Sequence, residues 1–262
     1  MVINLSLLNN LKLLDNKTLS VEPACALKTI YATIIPKGKY LPGGSCQSVA
    51  IGGLTLGGGY GLMSRNYGLT CDSLVEATIV TGNGKVVNTK EDPELLWALK
   101  GGGNGNFGVV TQMKFGIQNA PATMQSFKFR NKKTSIEEAV ETCRQWFERS
   151  VTLPRKCFSA FIFNGRTTYI LLTNTGKNDE AVNKFSDYFK AGATQFSYGN
   201  PLPLGRALKA YYGESKPTTF KNASAGLYKN FSEIEPVITQ VFTLIKKKPG
   251  IIYQVNTLGG II

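Results

Sequence analysis

Glycine is not spread evenly along this chain of 262 residues. Thirteen of its 28 glycines fall in two short windows, residues 43–61 (GGSCQSVAIGGLTLGGGYG) and 101–108 (GGGNGNFG). Glycine loses more conformational entropy on folding than any other residue and adds no side chain to a core, so such density must be offset by something a Cβ would obstruct. Two explanations are open. The glycines make tight turns in a sheet-rich domain, which is the better account of any one of them, or they let main-chain N–H groups approach a flat anionic ligand. The one reactive side chain in the first window is Cys46.

The second window contains Gly103-Asn104-Gly105-Asn106-Phe107-Gly108, a literal G-x-G-x-x-G. A Rossmann fingerprint needs a strand before it and a helix after it, so that the helix N-terminus faces the pyrophosphate. Here the order is reversed: EDPELLWALK reads as a short helix with proline in its first turn, and VVTQMKF reads as a strand. No G-x-x-x-x-G-K-[ST] is present either. The glycines therefore belong to neither common phosphate-binding motif.

Composition removes further classes. The chain contains no histidine, which excludes the usual general base, the commonest transition-metal ligand and any Ser-His or Cys-His nucleophile. Five cysteines (25, 46, 71, 143 and 157) form no CxxC pair and read as free thiols. The formal charge is +13. Residues 1–120 carry 10 Lys/Arg against 7 Asp/Glu and residues 121–262 carry 20 against 10, so the excess lies away from the glycine windows. Its densest points are RNKK (130–133) and KKK (246–248), which lack interleaved aromatic residues, so no nucleic-acid partner is expected. The N-terminus has no basic start followed by an apolar run, and no apolar stretch is long enough to span a bilayer. No membrane partner is expected, and the compartment is undetermined.

The remaining pattern is mixed α and β. VINLSLLN and KTLSVEP read as strands and ACALKTIYATI as a helix. LVEATIVTGNGKVVNT reads as two strands about a turn in which Asn83-Gly84 supplies positive φ. A proline-bearing connector, QNAPAT (118–123), suggests a boundary, giving domains 1–118 and 119–262. Beyond it Ser135–Glu138 forms a capping box ahead of a helical face of Ile136, Ala139, Val140, Cys143 and Phe147. CFSAFIF and TTYILLT flank Asn164-Gly165-Arg166 as a hairpin, and DEAVNKFSDYFKAG is a helix stopped by Gly192. Ser232–Glu235 is a second capping box before a helix running into KKK, and IIYQVNTL is a closing strand. The fold class is α+β, with helices packed on antiparallel sheet in the second half.

GGSCQSVAIGGLTLGGGYGLMSRNYGLTCDSLVEATIVTGNGKVV and LLWALKGGGNGNFGVVTQMKF resemble the FAD-linked oxidases of the berberine bridge enzyme type, with a PCMH-type FAD-binding domain. The resemblance covers Val2 to about Pro121. Farther on, the order of elements and FKNASAGLYK (220–229) are compatible with that family's substrate domain. It implies that Gly43, Gly44, Ser45, Gly52 and Gly53 line the flavin and pyrophosphate, with Gly57–Gly59 packed behind. Cys46 matches a cysteine that some members attach to the isoalloxazine ring, and Gly108, Val109 and Val110 match a segment running beside the FAD. Gln47 stands where proline is common. The family's earlier Gly-Gly-His segment and its C-terminal Tyr-x-Asn-Tyr-type motif have no counterpart here, so a chain truncated at both ends is expected. A histidyl flavin link is impossible without histidine.

The resemblance implies an FAD-dependent oxidoreductase that passes hydride from a small organic or sugar-like substrate to flavin and then to oxygen. The catalytic base is not identified; Tyr60, Tyr211, Tyr212 and Glu214 are available, and each has a structural role as the simpler reading. The alternative is a non-catalytic piece that binds flavin weakly, or only with a partner chain supplying the missing segments.

Overall fold

The computed structural model describes residues 2–213, 219–224 and 226–262; Glu214, one of the candidate bases, lies outside the described residues. The chain divides into two compact units. One comprises residues 1–122, 203–215 and 259–262, and the other residues 123–202 and 216–258.

In the first unit the chain runs through β1 (Leu11–Leu13), β2 (Thr18–Val21), α1 (Leu27–Ile34), β3 (Lys39–Tyr40), α2 (Ile51–Leu56) and α3 (Ser64–Tyr67). It continues through β4 (Leu74–Val80), β5 (Val86–Asn88), α4 (Pro93–Leu99), β6 (Val109–Gly116) and β7 (Gln118–Asn119). A five-stranded sheet has the order β1-β2-β6-β4-β5, with every pairing antiparallel. In β4 Leu74, Ala77 and Ile79 are buried, with a bulge between Leu74 and Glu76 interrupting the alternation, and Val110, Met113 and Phe115 of β6 are buried beside them. Leu27, Ile30, Tyr31 and Ile34 form the buried stripe of α1 at helical spacing. Asp92 caps α4 by accepting a 2.9 Å bond from the Leu95 amide.

The second unit begins with β8 (Thr123–Lys132), α5 (Ile136–Ser150), β9 (Cys157–Phe163), β10 (Thr167–Asn174), α6 (Glu180–Gly192) and β11 (Gln195–Tyr198). After β12 (Leu202–Pro203) and α7 (Leu204–Lys209), which is counted with the first unit, α8 (Glu235–Lys247) and β13 (Tyr253–Asn256) complete it. Its sheet runs β11-β8-β10-β9-β13, again antiparallel. Phe127, Phe129, Phe161, Phe163, Ile170 and Leu172 from the sheet pack with Cys143, Trp146 and Phe147 of α5, Phe185 and Phe189 of α6, and Ile238 and Phe242 of α8. One buried polar chain runs through this core: the Trp146 indole donates to Ser159 Oγ (2.8 Å), which donates onward to the Leu171 carbonyl (2.7 Å).

Three local expectations need correction. VINLSLLN forms no strand, and pairing starts only at Leu11, where the chain has a partner in β2. The β4–β5 turn takes its positive φ from Gly84 alone (80°); Asn83 instead accepts from Thr81 Oγ1 and the Lys85 amide. The helix of DEAVNKFSDYFKAG does stop at Gly192, the last residue of α6. Ser135 closes a capping box with Glu138, whereas Ser232 caps nothing: a 3₁₀ turn over Phe231–Glu233 precedes α8, and its hydroxyl donates to Asn230. FKNASAGLYK, about the undescribed Ala225, forms neither helix nor strand among the described residues.

Candidate functional site

After α4 the second glycine window folds back onto the first. The Gly103 amide donates to the Leu56 carbonyl at 2.9 Å. The Asn104 side chain lies 3.8 Å from where a Cβ on Gly53 would stand and 3.6 Å from one on Gly57, and a Cβ on Gly101 would be 3.5 Å from Gly58 Cα. The two windows therefore share one surface of the first unit.

The glycines fall into two groups once their surroundings are compared. For several, the reason is internal. A Cβ on Gly61 would run into the Gly43 carbonyl, one on Gly108 into the Val80 carbonyl, and one on Gly59 into the Thr70 side chain. Gly52 lies against Pro23, where a Cβ would stand 2.6 Å from Pro23 Cβ, and its amide donates to the Pro23 carbonyl. For Gly43 the obstacle is the Tyr31 hydroxyl at 2.8 Å. Gly44 and Gly53 differ: their nearest neighbours would be 3.6 and 3.8 Å from a Cβ, an ordinary contact distance. Gly53 is exposed inside helix α2, where glycine costs about 1 kcal/mol relative to alanine. No packing within the described residues offsets that cost.

Tyr31 shapes the Gly43–Cys46 loop. Its hydroxyl, fully buried on α1, donates to the Gly44 carbonyl at 2.9 Å, and its ring stacks on Tyr40 with centroids 5.8 Å apart. Among the described residues the amides of Gly44, Ser45 and Cys46 make no hydrogen bond. Three successive uncommitted donors on a partly exposed loop suit an anionic or carbonyl-rich ligand. Cys46 is the one exposed thiol of the five. Next to it, Gln47 donates from its amide to the Tyr212 carbonyl (3.3 Å) and lines a cavity of about 630 Å³ with Lys28, Tyr31, Lys209 and Tyr212.

Two of the tyrosines named as candidate bases, Tyr60 and Tyr212, are shifted away from that role. Burial raises the Tyr60 phenol, against the opposing pull of Arg65, and burial also raises Tyr212. A phenol above its usual value of about 10 is protonated at neutral pH and acts as a donor. Among the described residues no cluster of acidic or cysteine side chains could hold a metal ion.

Of the residues singled out from the sequence, Gly43, Gly44, Ser45 and Cys46 form one loop, and Gly52 and Gly53 lie on α2. Gly108 sits at the bend into β6, with φ of 134°, where Val109 is half-buried and Val110 is buried in the sheet. Tyr31 and Asn104 were not singled out. The first sits on the apolar stripe of α1 and reads as core. The second could have been found only by knowing that the windows meet.

Residues 1–90 match the FAD binding domain family. The chain is 36% identical over 146 residues to berberine bridge enzyme-like 8 of Arabidopsis thaliana, a match covering 55% of this chain and 27% of that protein. It is 32% identical over 202 residues to cannabidiolic acid synthase-like 1 of Cannabis sativa, covering 73% of this chain and 35% of the relative. Among solved structures, BBE-like 1 of Physcomitrella patens shares the fold with a TM-score of 0.77 at 22% identity, over 96% of this chain and 58% of that one. The chain thus spans about a third of the length of these curated relatives. With its glycine windows joined on one surface, its first part matches the FAD binding domain family and the chain is similar to berberine bridge enzyme-like proteins, whose fold it shares.

Proposed function

We propose that this chain is part of an FAD-dependent oxidoreductase, with the first unit holding the cofactor and the second belonging to the substrate domain. The observation that carries this reading is the joining of the two glycine windows, with Gly44 and Gly53 left open to approach from outside. In this reading Gly44, Ser45 and Cys46 donate main-chain N–H groups to the cofactor. Gly43, Gly52 and Gly108 let the underlying backbone close up behind it, and Val109 and Val110 continue the wall. FAD, when bound, supplies a hydride acceptor for a small organic or sugar-like substrate and passes the electrons to oxygen. The Cys46 thiol is the one side chain here suited to a covalent link with the ring.

The test is direct. The purified chain should be yellow, or added FAD should raise its melting temperature, because a ligand at about 100 times its Kd adds roughly 2.7 kcal/mol. Acid-precipitated protein that stays coloured, with the colour lost in Cys46→Ala, would establish the thioether. A colourless chain indifferent to FAD would overturn the reading for this chain.

A second reading is a piece that holds flavin without turning over substrate. The raised phenols of Tyr60 and Tyr212 favour it, since neither is poised to take a proton. Flavin binding without peroxide formation on any sugar or alcohol would select it.

A further inference from the structure

The two basic clusters that stood out in the sequence, RNKK and KKK, are more than 100 residues apart, yet they meet at one end of the second unit. β8 ends at Lys132, paired with Thr167 of β10, and the next turn carries Lys133 and places the Thr134 amide on the Arg166 carbonyl at 3.0 Å. On the other side of Arg166, Gly165 lies so close to α8 that a Cβ there would be 2.9 Å from Lys246 Cα. Lys132, Lys133, Arg166, Lys246, Lys247 and Lys248 are all exposed, and among the described residues none is in an ion pair. Glu137, Glu138 and Glu141 line a cavity with Lys132 at this end; Glu137 is lowered mainly by hydrogen bonds from its own amide and Ser135 and to a smaller extent by the charge of Lys246.

The same end carries exposed apolar surface. Pro249-Gly250 leads from the lysines into Ile251 and Ile252, which are 45% and 61% exposed. Tyr253 then pairs with Phe163 beside the Asn164–Arg166 turn, fixing the two isoleucines next to the cations. The nearby aromatic rings are committed elsewhere: Tyr253, Phe161, Phe163 and Phe242 pack on one another in the core. These four rings offer no stacking platform for bases, and a nucleic acid or acidic polysaccharide would gain nothing from the isoleucine pair.

We propose that this end of the second unit docks peripherally on an anionic lipid surface, with six cations meeting headgroups and Ile251 and Ile252 entering the interface. The absence of a bilayer-spanning segment does not bear on this mode, which needs only a basic cluster beside a small apolar insertion.

Vesicles of phosphatidylcholine with and without phosphatidylserine, sedimented with the 262-residue chain, provide the test. Binding should require phosphatidylserine and weaken with salt. Replacing Lys246, Lys247 and Lys248 by Gln should lower the partition coefficient roughly a hundredfold, at about fivefold per lysine. Lys133→Gln with Arg166→Gln, on separate segments, should lower it by more than tenfold on the same scale. Ile251→Ser with Ile252→Ser should remove the salt-resistant part of binding. All these side chains are exposed, and an unchanged thermal melt confirms that each variant is folded. Indifference to phosphatidylserine, or wild-type binding by both charge variants, would overturn the proposal. So would competition by polygalacturonate or single-stranded DNA together with an Ile251/Ile252 variant that binds as well as wild type, since the patch would then be a general polyanion site.

Discussion

The amide of Gly103 and the carbonyl of Leu56 are joined by a 2.9 Å hydrogen bond. This bond ties the loop after α4 to the C-terminal end of α2, making one surface from two segments that are each too poor in side chains to hold a shape alone. It also accounts for the close fit of neighbouring glycines, because backbone packed on backbone leaves no room for a Cβ.

Alanine substitution should therefore separate the two groups of glycines. Gly61→Ala and Gly108→Ala each press a methyl group onto a main-chain carbonyl, and Gly108 also has φ of 134°. Each should cost about 2 kcal/mol or more by denaturant unfolding. Gly53→Ala meets only Asn104 at contact distance inside a helix, and should be neutral or stabilising by up to about 1 kcal/mol while weakening retention of FAD. Equal losses at all three positions would contradict this division.

The two Ser-x-x-Glu sequences should behave differently. Ser135→Ala removes a side-chain acceptor from the Glu138 amide and should cost about 1 kcal/mol. Ser232→Ala removes no cap and should stay within about 0.5 kcal/mol of wild type. Urea midpoints of the two variants decide the matter.

Ser159 links three buried groups in the second unit, accepting from Trp146, donating to the Leu171 carbonyl and receiving Thr257 at its backbone. Ser159→Ala leaves the buried indole N–H without its acceptor and should destabilise by about 1–3 kcal/mol. Trp146→Phe removes the donor at the same time, so the double variant should cost less than the sum of the single ones.

Stability should fall in acid partly through Glu76. Burial raises its carboxyl, but hydrogen bonds from Asn88 and Lys114 and the charges of Lys114 and Lys90 outweigh burial and leave it lowered. A group whose folded pKa is depressed contributes stability above its unfolded value, near 4.3, and loses that contribution as pH falls through the folded pKa. Glu76→Gln should lower stability at neutral pH by about 1–3 kcal/mol and flatten the acid limb of the stability profile. A profile unchanged in slope would show that the pair contributes nothing.

Thiol labelling should find one fast cysteine in the native chain, Cys46, and all five after denaturation. Bound FAD should slow that one reaction. Rapid labelling of a second cysteine without unfolding would contradict the burial of the other four.

Local chemistry made much of this molecule legible in the sequence. The Ser135 capping box, the helix of ACALKTIYATI, the Asn164–Arg166 hairpin and the α4–glycine–β6 order depend on neighbours within a few residues, and each formed as its pattern requires. The strand β8 is hidden in the sequence: Phe127 and Phe129 alternate with Lys128 and Arg130, but its basic end has the composition of a solvated charge cluster. VINLSLLN failed for the opposite reason: alternation supplies a face but no partner strand.

What composition and order fixed was a mixed fold with two bare stretches of main chain, free thiols and no imidazole chemistry. Only the tertiary structure decided which glycines are bare for internal packing and which are open, that Tyr31 holds the Cys46 loop, and that two distant basic clusters share one end of a sheet. The physical reason is that a Cβ clash, a buried hydroxyl or a summed charge depends on distances between segments remote in the chain, and those are set by sheet register and helix packing rather than by any residue's own preference.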